Sequence, residues 1–292
     1  MLKAVVGDPT LWPSGMEIAG RLAHEAGFKF VLYFVGNLGI NEGPRLSETF
    51  KKYGVDTYRS DFGCPTIELL DWLLVNHPKF RYEHCNCGAP YKDFAMLRRS
   101  TVQFGIDVYD PLSNRRMFHT SSYCVHPAQL QSPTAVLPHS PVFVAGLRSA
   151  MQGAINIGSG NAMKVMPSDD PPSIEPLKTN IALYKTRLRP LIREGNLYHI
   201  SLRPDGVDWD GLQYHDPARG TGAVMLFKPN NKVDTRRIVL KGLDRTRTYA
   251  LTFQDRPEQN ARKIGADLMD HGFDVTMTGQ NVSEIVWVEQ TR

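Results

Sequence analysis

The first half of the chain alternates helix-like with strand-like runs, and that alternation limits its fold more than any other feature. Pro13-Ser14-Gly15 opens a helix over MEIAGRLAHEAG (16–27). Ile18, Leu22 and Ala26 recur at spacing four, and Gly27 suits the left-handed stop. FKFVLYF (28–34) then reads as a buried strand. Pro44 begins RLSETFKKYG, which Gly54 ends, and VDTYRSDF (55–62) follows as a strand. TIELLDWLLVNHP (66–78) is a helix stopped by Pro78, and FRYEHC (80–85) is the next strand. KDFAMLRRSTVQF (92–104) is predicted helical and IDVYD (106–110) extended. Helix and strand taking turns in this way means βα units on a parallel sheet.

Residues 125–175 are rich in Pro, Ser and Gly, with an apolar helix at LRSAMQGAINI (147–157) and a solvated turn at SDDPPS (168–173). A longer helix, EPLKTNIALYKTRLRPLIREG (175–195), closes this half, with Pro190 kinking its end. From Asn196 the grammar changes. LYHISL, LQYHD, GAVMLFK, RRIVLKGL, TYALTF and SEIVWVEQ are short strands separated by turn-rich segments. That spacing predicts an antiparallel β-sandwich. The expected division is a β/α-barrel-type domain over 1–195 and a β-sandwich domain over 196–292.

Totals exclude several classes. With 34 basic and 30 acidic residues the net charge is +4, and the basic residues are scattered, so nothing points to nucleic acid. No apolar run reaches membrane-spanning length, and MLKAVVGDPTLWPSG lacks the apolar stretch of a signal peptide. Cytoplasmic is therefore the default expectation. Cysteines 64, 85, 87 and 124 are too few for a disulfide scaffold. Cys85 and Cys87 stand one residue apart, a poor chelate for zinc, and no H-x-x-x-H pair is present, so no metal is expected. GSGN (158–161) lacks the lysine of a phosphate loop, and Asn281-Val282-Ser283 matches a glycosylation sequon of the kind frequent by chance. Trp209, Tyr214, Tyr249 and Trp287 could stack on sugars, although aromatics at strand spacing are more often core.

Chemistry is expected where the parallel strands end, because catalytic side chains of a β/α barrel sit at the C-terminal ends of its strands. VDTYRSDF carries Asp61 at its end, FRYEHC carries Cys85, and the IDVYD segment carries Asp107 and Asp110. Two carboxylates from different strands are what a glycosidase needs, one as nucleophile or base and one as proton donor. Arg59, two residues before Asp61, shares its face and would favour the ionised carboxylate. Any one of these aspartates could instead cap the following helix, and Asp110 before Pro111 fits that role best.

At these residues the sequence resembles the α-galactosidases of glycoside hydrolase family 36. GDPTLWPSGMEIAGRLAHEAGFKFVLYF is similar to the family's GDW and G-hydrophobic-K-F-G-L-W-F blocks. YGVDTYRSDFG resembles its nucleophile block, YEHCNCGAPYKDFAMLRRS its cysteine-glycine block, and FGIDVYD its acid/base block. The link RPDGVDWDGLQYHDP resembles the entry into its C-terminal β-domain. The resemblance implies Asp61 as nucleophile and Asp107 as general acid/base of a retaining double displacement. It implies Arg59 as a sugar-binding cation, Tyr33 at an aromatic position of the sugar site, and Cys85 and Gly88 lining the galactose pocket. It implies a galactoside or oligosaccharide substrate and no cofactor. Gly63 stands where the family has asparagine. Only five or six barrel strands can be counted where a closed barrel has eight. The chain is therefore expected to be a fragment, or a reduced relative whose barrel is completed by rebuilding or in a homo-oligomer. A non-catalytic sugar-binding or structural relative is the alternative function.

Overall fold

The βα alternation is present in the computed structural model of the chain, which describes residues 15–85, 93–108, 110–134, 143–157 and 171–291. The chain divides into two compact units, one ending at Phe104 and one beginning at Gly105.

The first unit contains helix α1 (Glu17–Glu25), strand β1 (Val31–Val35), α2 (Gly43–Tyr53), β2 (Thr57–Asp61), α3 (Ile67–Asn76), β3 (Arg81–His84), α4 (Phe94–Arg99) and β4 (Val102–Phe104). The four strands pair in sequence order and in parallel, with Val35 beside Asp61 and Arg59 beside Glu83. Local chemistry sets the helix ends. Pro44 lies in the first turn of α2, and Gly54 ends it in the left-handed conformation at φ 65°. The Thr66 hydroxyl caps α3 by accepting from the Leu69 amide, and Asp93 caps α4 by accepting from Met96.

Strand alternation decides which side chains meet the helices. Leu32, Phe34, Tyr58 and Tyr82 pack with Leu46, Phe50, Leu69, Leu70 and Leu73 of the helices into one core. The opposite face of the sheet carries Tyr33, Arg59, Asp61 and Glu83. On β1 that face is open, with Val31, Tyr33 and Val35 all exposed.

Two helices differ from the sequence expectation: the one read over 147–157 ends at Ala150, and residues 154–157 form a strand. The helix predicted over 92–104 ends at Arg99, and residues 102–104 form β4, so the strand expected at 106–110 lies earlier. Val102 is β-branched and pairs with Glu83, and strand pairing there replaces helix propensity. Residues 105–108 instead lead into the next helix.

The second unit continues with α5 (Pro111–Ser121), β5 (Leu130–Thr134), α6 (Phe143–Ala150), β6 (Ala154–Ile157), α7 (Pro171–Leu183) and α8 (Arg189–Glu194). Strands β5 and β6 pair in parallel. A π-helical turn (Tyr184–Leu188) separates α7 from α8, and Pro190, which lacks an N–H, lies in the first turn of α8. Eight strands follow: β7 (Asn196–His199), β8 (Asp210–Asp216), β9 (Thr221–Lys228), β10 (Thr235–Ile238), β11 (Thr248–Phe253), β12 (Ala261–Ile264), β13 (Phe273–Thr276) and β14 (Val282–Gln290), with α9 (Gly265–Asp270) between β12 and β13. They form a six-stranded antiparallel sheet in the order β12-β11-β14-β9-β8-β7 and a separate antiparallel pair, β10-β13. Val224, Leu226, Leu251, Phe253, Val286 and Val288 of the larger sheet share a core with Ile238, Phe273 and Val275 of the pair. The change of grammar at residue 195 falls inside this unit, between α8 and β7.

Trp209, Tyr214, Tyr249 and Trp287 are buried in this half and offer no sugar-stacking face. Their polar ends are satisfied internally: Trp209 Nε1 donates to the Val233 carbonyl and Tyr214 Oη to the Gln152 carbonyl. Among the described residues no helix is long and apolar enough to cross a membrane.

Candidate functional site

Asp61 is the last residue of β2, on the sheet face turned away from the helices. Its carboxylate is held at both oxygens. Oδ2 accepts from the Tyr33 hydroxyl at 2.8 Å and from Cys85 Sγ at 3.4 Å, and Oδ1 accepts from the Phe62 amide at 2.9 Å. The Phe62 bond requires a sharp turn, and Phe62 adopts φ 51°, a left-handed conformation uncommon for a bulky residue. Gly63 follows at φ 144°, where a Cβ would lie 2.4 Å from the Gly36 carbonyl carbon and 2.6 Å from the Asn37 amide nitrogen. Glycine at 63 is thus required by the close approach of two backbone segments. The Cys64 amide in the same turn donates to Asn37 Oδ1 at 2.9 Å.

Arg59 lies on the same face, as period two predicts. Its Nη1 donates to Glu83 Oε1, and its Nη2 donates to Cys85 Sγ at 3.2 Å. The guanidinium carbon is 4.5 Å from the centre of the Phe104 ring and 5.8 Å from that of Tyr33. Tyr33, Arg59 and Glu83 are consecutive register partners across β1, β2 and β3, so the three side chains form one row. Asp61 lies two residues farther along β2, and Cys85 stands just beyond the end of β3.

The electrostatics follow from one cation among several acids. Burial alone would lower the Arg59 pKa, but Glu83, Cys85 and Asp61 outweigh it and raise it. Burial raises the Glu83 carboxyl, and Arg59 opposes that shift. Desolvation and the hydrogen bond to Asp61 push the Tyr33 phenol up, so it remains a donor at neutral pH. On the helix side of the sheet Ser60, Tyr82 and His84 form a buried hydrogen-bonded chain, at 2.6 Å from Ser60 Oγ to Tyr82 Oη and 2.9 Å from there to His84 Nδ1.

Of the residues expected from the sequence, Tyr33, Arg59, Asp61 and Cys85 come together in the first unit. Gly88 lies outside the described residues. Asp107 lies on no strand: it belongs to the second unit, in the exposed segment three residues beyond the end of β4. Asp110 caps α5, accepting from the Leu112 and Ser113 amides at 3.0 Å each. Glu83 was missed as a site residue. The signal for it was the alternation in FRYEHC, which puts Glu83 and Cys85 on one face. Among the described residues no group of three or more His, Cys, Asp or Glu side chains could hold a metal ion.

The chain matches no family model, and no curated protein matches it in sequence. Solved structures do match it. The α-galactosidase AgaA of glycoside hydrolase family 36 from Geobacillus stearothermophilus superposes with a TM-score of 0.82 at 14% identity, over 100% of this chain and 49% of that one. The α-galactosidase from Lactobacillus brevis gives a TM-score of 0.80 at 16% identity, over 98% of this chain and 48% of that one. The fold is similar to that of family 36 α-galactosidases. This chain spans about half the length of those enzymes. Variants of the Geobacillus enzyme have been solved with raffinose and with stachyose.

Proposed function

We propose that the chain acts on terminal α-galactosides as a retaining exo-glycosidase, with an oligosaccharide or simple galactoside as substrate. The observation that carries this reading is the Asp61 carboxylate. It stands at a strand end on the sheet face turned away from the helices, itself largely buried beside the open face of β1, and oriented by Tyr33, Cys85 and the Phe62 amide. A nucleophile needs that kind of fixed orientation, because catalysis depends on the attacking oxygen being aimed before the reaction begins. Asp61 attacks the anomeric carbon while protonated Asp107 donates to the departing oxygen. Asp107 then takes a proton from water, and that water releases the sugar from Asp61. Retention requires the two carboxyl groups about 5–5.5 Å apart in the working enzyme. Arg59 and Tyr33 meet sugar hydroxyls, and Cys85 and Gly88 line the galactose pocket. In this reading residues 1–195 belong to a (β/α)8-type barrel and residues 196–292 to a C-terminal β-sandwich.

A second reading is favoured by the open face of β1. Val31, Tyr33 and Val35 are 42%, 42% and 53% exposed, whereas the inward-facing side chains of a closed barrel are packed. A non-catalytic sugar-binding relative would tolerate that openness. Hydrolysis of p-nitrophenyl α-galactoside by the chain and by Asp61→Asn separates the two. Turnover that disappears in the variant supports the enzyme. Galactose binding without turnover in the unaltered, folded chain refutes it in favour of the second reading.

A further inference from the structure

Arg59 is held from three sides, by Glu83, by Cys85 Sγ and by the face of the Phe104 ring. The carboxylate directly beside it in the sheet register is Glu83, on the neighbouring strand. Glu83 is buried and turned to the same face as Asp61. We propose that Glu83 is a positioning residue: it fixes the Arg59 guanidinium on the sheet face, so that its remaining N–H groups meet a sugar hydroxyl instead of closing on Asp61. This inference rests on the α-galactoside reading of the same site.

The physical reason is competition for one cation. A guanidinium is a planar fork that binds a carboxylate through two parallel N–H groups. If Arg59 closed on Asp61, it would occupy the oxygens that attack the sugar. Glu83 supplies the alternative partner, and the Phe104 ring packs 4.5 Å from the guanidinium carbon. The charged and titratable groups facing this cluster among the described residues are Tyr33 on β1, Arg59 and Asp61 on β2, Glu83 on β3 and Cys85 just after it. The side chain from β4 is the neutral Phe104.

The test uses the full chain with Glu83→Gln and Glu83→Asp, each checked for folding by circular dichroism. The readout is kcat and KM for p-nitrophenyl α-galactoside across pH. Expected for Glu83→Gln is a loss of kcat/KM of roughly tenfold or more, with KM raised by the lost sugar contact and kcat lowered by Arg59 closing on Asp61. The acid limb of the profile should move down, because Arg59 freed from Glu83 can close on Asp61 and favour its ionised form. Glu83→Asp, which keeps the charge, should restore the acid limb and part of KM. Kinetics within twofold of the unaltered chain overturn the inference. So does a uniform loss with an unmoved profile, which is what a purely structural carboxylate would give. An unaltered chain that neither cleaves nor binds galactosides removes the underlying reading and the inference with it, and that failure is visible before any variant is made.

Discussion

Gly63 offers a sharp test of how this site is built. The resemblance places asparagine there, so glycine could mean either a lost sugar contact or a backbone requirement. The structure favours the second. At φ 144° a residue with a Cβ pays a conformational cost of about 1–3 kcal/mol. The added Cβ would also stand 2.4 Å and 2.6 Å from backbone atoms of Gly36 and Asn37, which cannot turn aside as a side chain would. Forcing such contacts costs typically about 1–3 kcal/mol more. Together the two effects predict a destabilisation of about 4 kcal/mol, or a fall in Tm of roughly 8–16 °C for a chain of this size. Because both costs arise at Cβ and the backbone, Gly63→Ala and Gly63→Asn should destabilise equally, within about 1 kcal/mol. Urea unfolding followed by far-ultraviolet circular dichroism measures both. If Gly63→Asn is as stable as the unaltered chain, or regains stability and galactose affinity that Gly63→Ala loses, the backbone argument is wrong and a polar contact is missing.

Two further predictions concern the second unit. Arg115 is buried and makes two bonds to Asp210, at 2.8 and 3.1 Å, while its guanidinium lies over the Phe227 ring. Arg115→Met strands the buried Asp210 carboxylate, so it should cost about 3–5 kcal/mol in urea unfolding, and adding Asp210→Leu should recover much of that loss. His199 stacks on Tyr123 with ring centres 4.2 Å apart, lies 4.4 Å from His119 and bonds Ser122. Burial, then His119 and Lys241, push its pKa down to about 4. The unfolded chain therefore takes up this proton first as pH falls. The contribution is intact above about pH 6.5 and is lost progressively down to pH 4. Solvent screening of the part-exposed ring reduces it to about 1–2 kcal/mol. Stability measured at pH 7.5 and pH 4.5 should fall by that much more in the unaltered chain than in His199→Gln, and equal falls would contradict the assignment.

What the sequence revealed depended on how local each signal was. The helices around α2 and α3 carry their own punctuation, Pro44, Gly54, Thr66 and Pro78, so their ends were legible. The face shared by Arg59 and Asp61 followed from period two alone. The strand at 102–104 was not legible, because the apolar spacing of KDFAMLRRSTVQF fits a helix and only pairing with Glu83 makes Val102 extended. In the second unit ARKI, GADLMD and FDVT were too short to give a periodic signal, and they form β12, α9 and β13 through tertiary contacts. The pairing of Arg59 with Glu83 was hidden for a related reason. Sequence gives the face of each side chain but not the register that sets two strands side by side.

The account stands or falls on Asp61 as the attacking oxygen. Incubation with a slow substrate such as 5-fluoro-α-galactosyl fluoride, followed by intact mass and peptide mapping, asks this directly, because a retaining enzyme accumulates its glycosyl adduct. The account predicts one fluorohexosyl unit per chain, attached within the peptide that carries Asp61 and absent from Asp61→Asn. An adduct on another carboxylate, or turnover of an α-galactoside with no adduct formed, would contradict it.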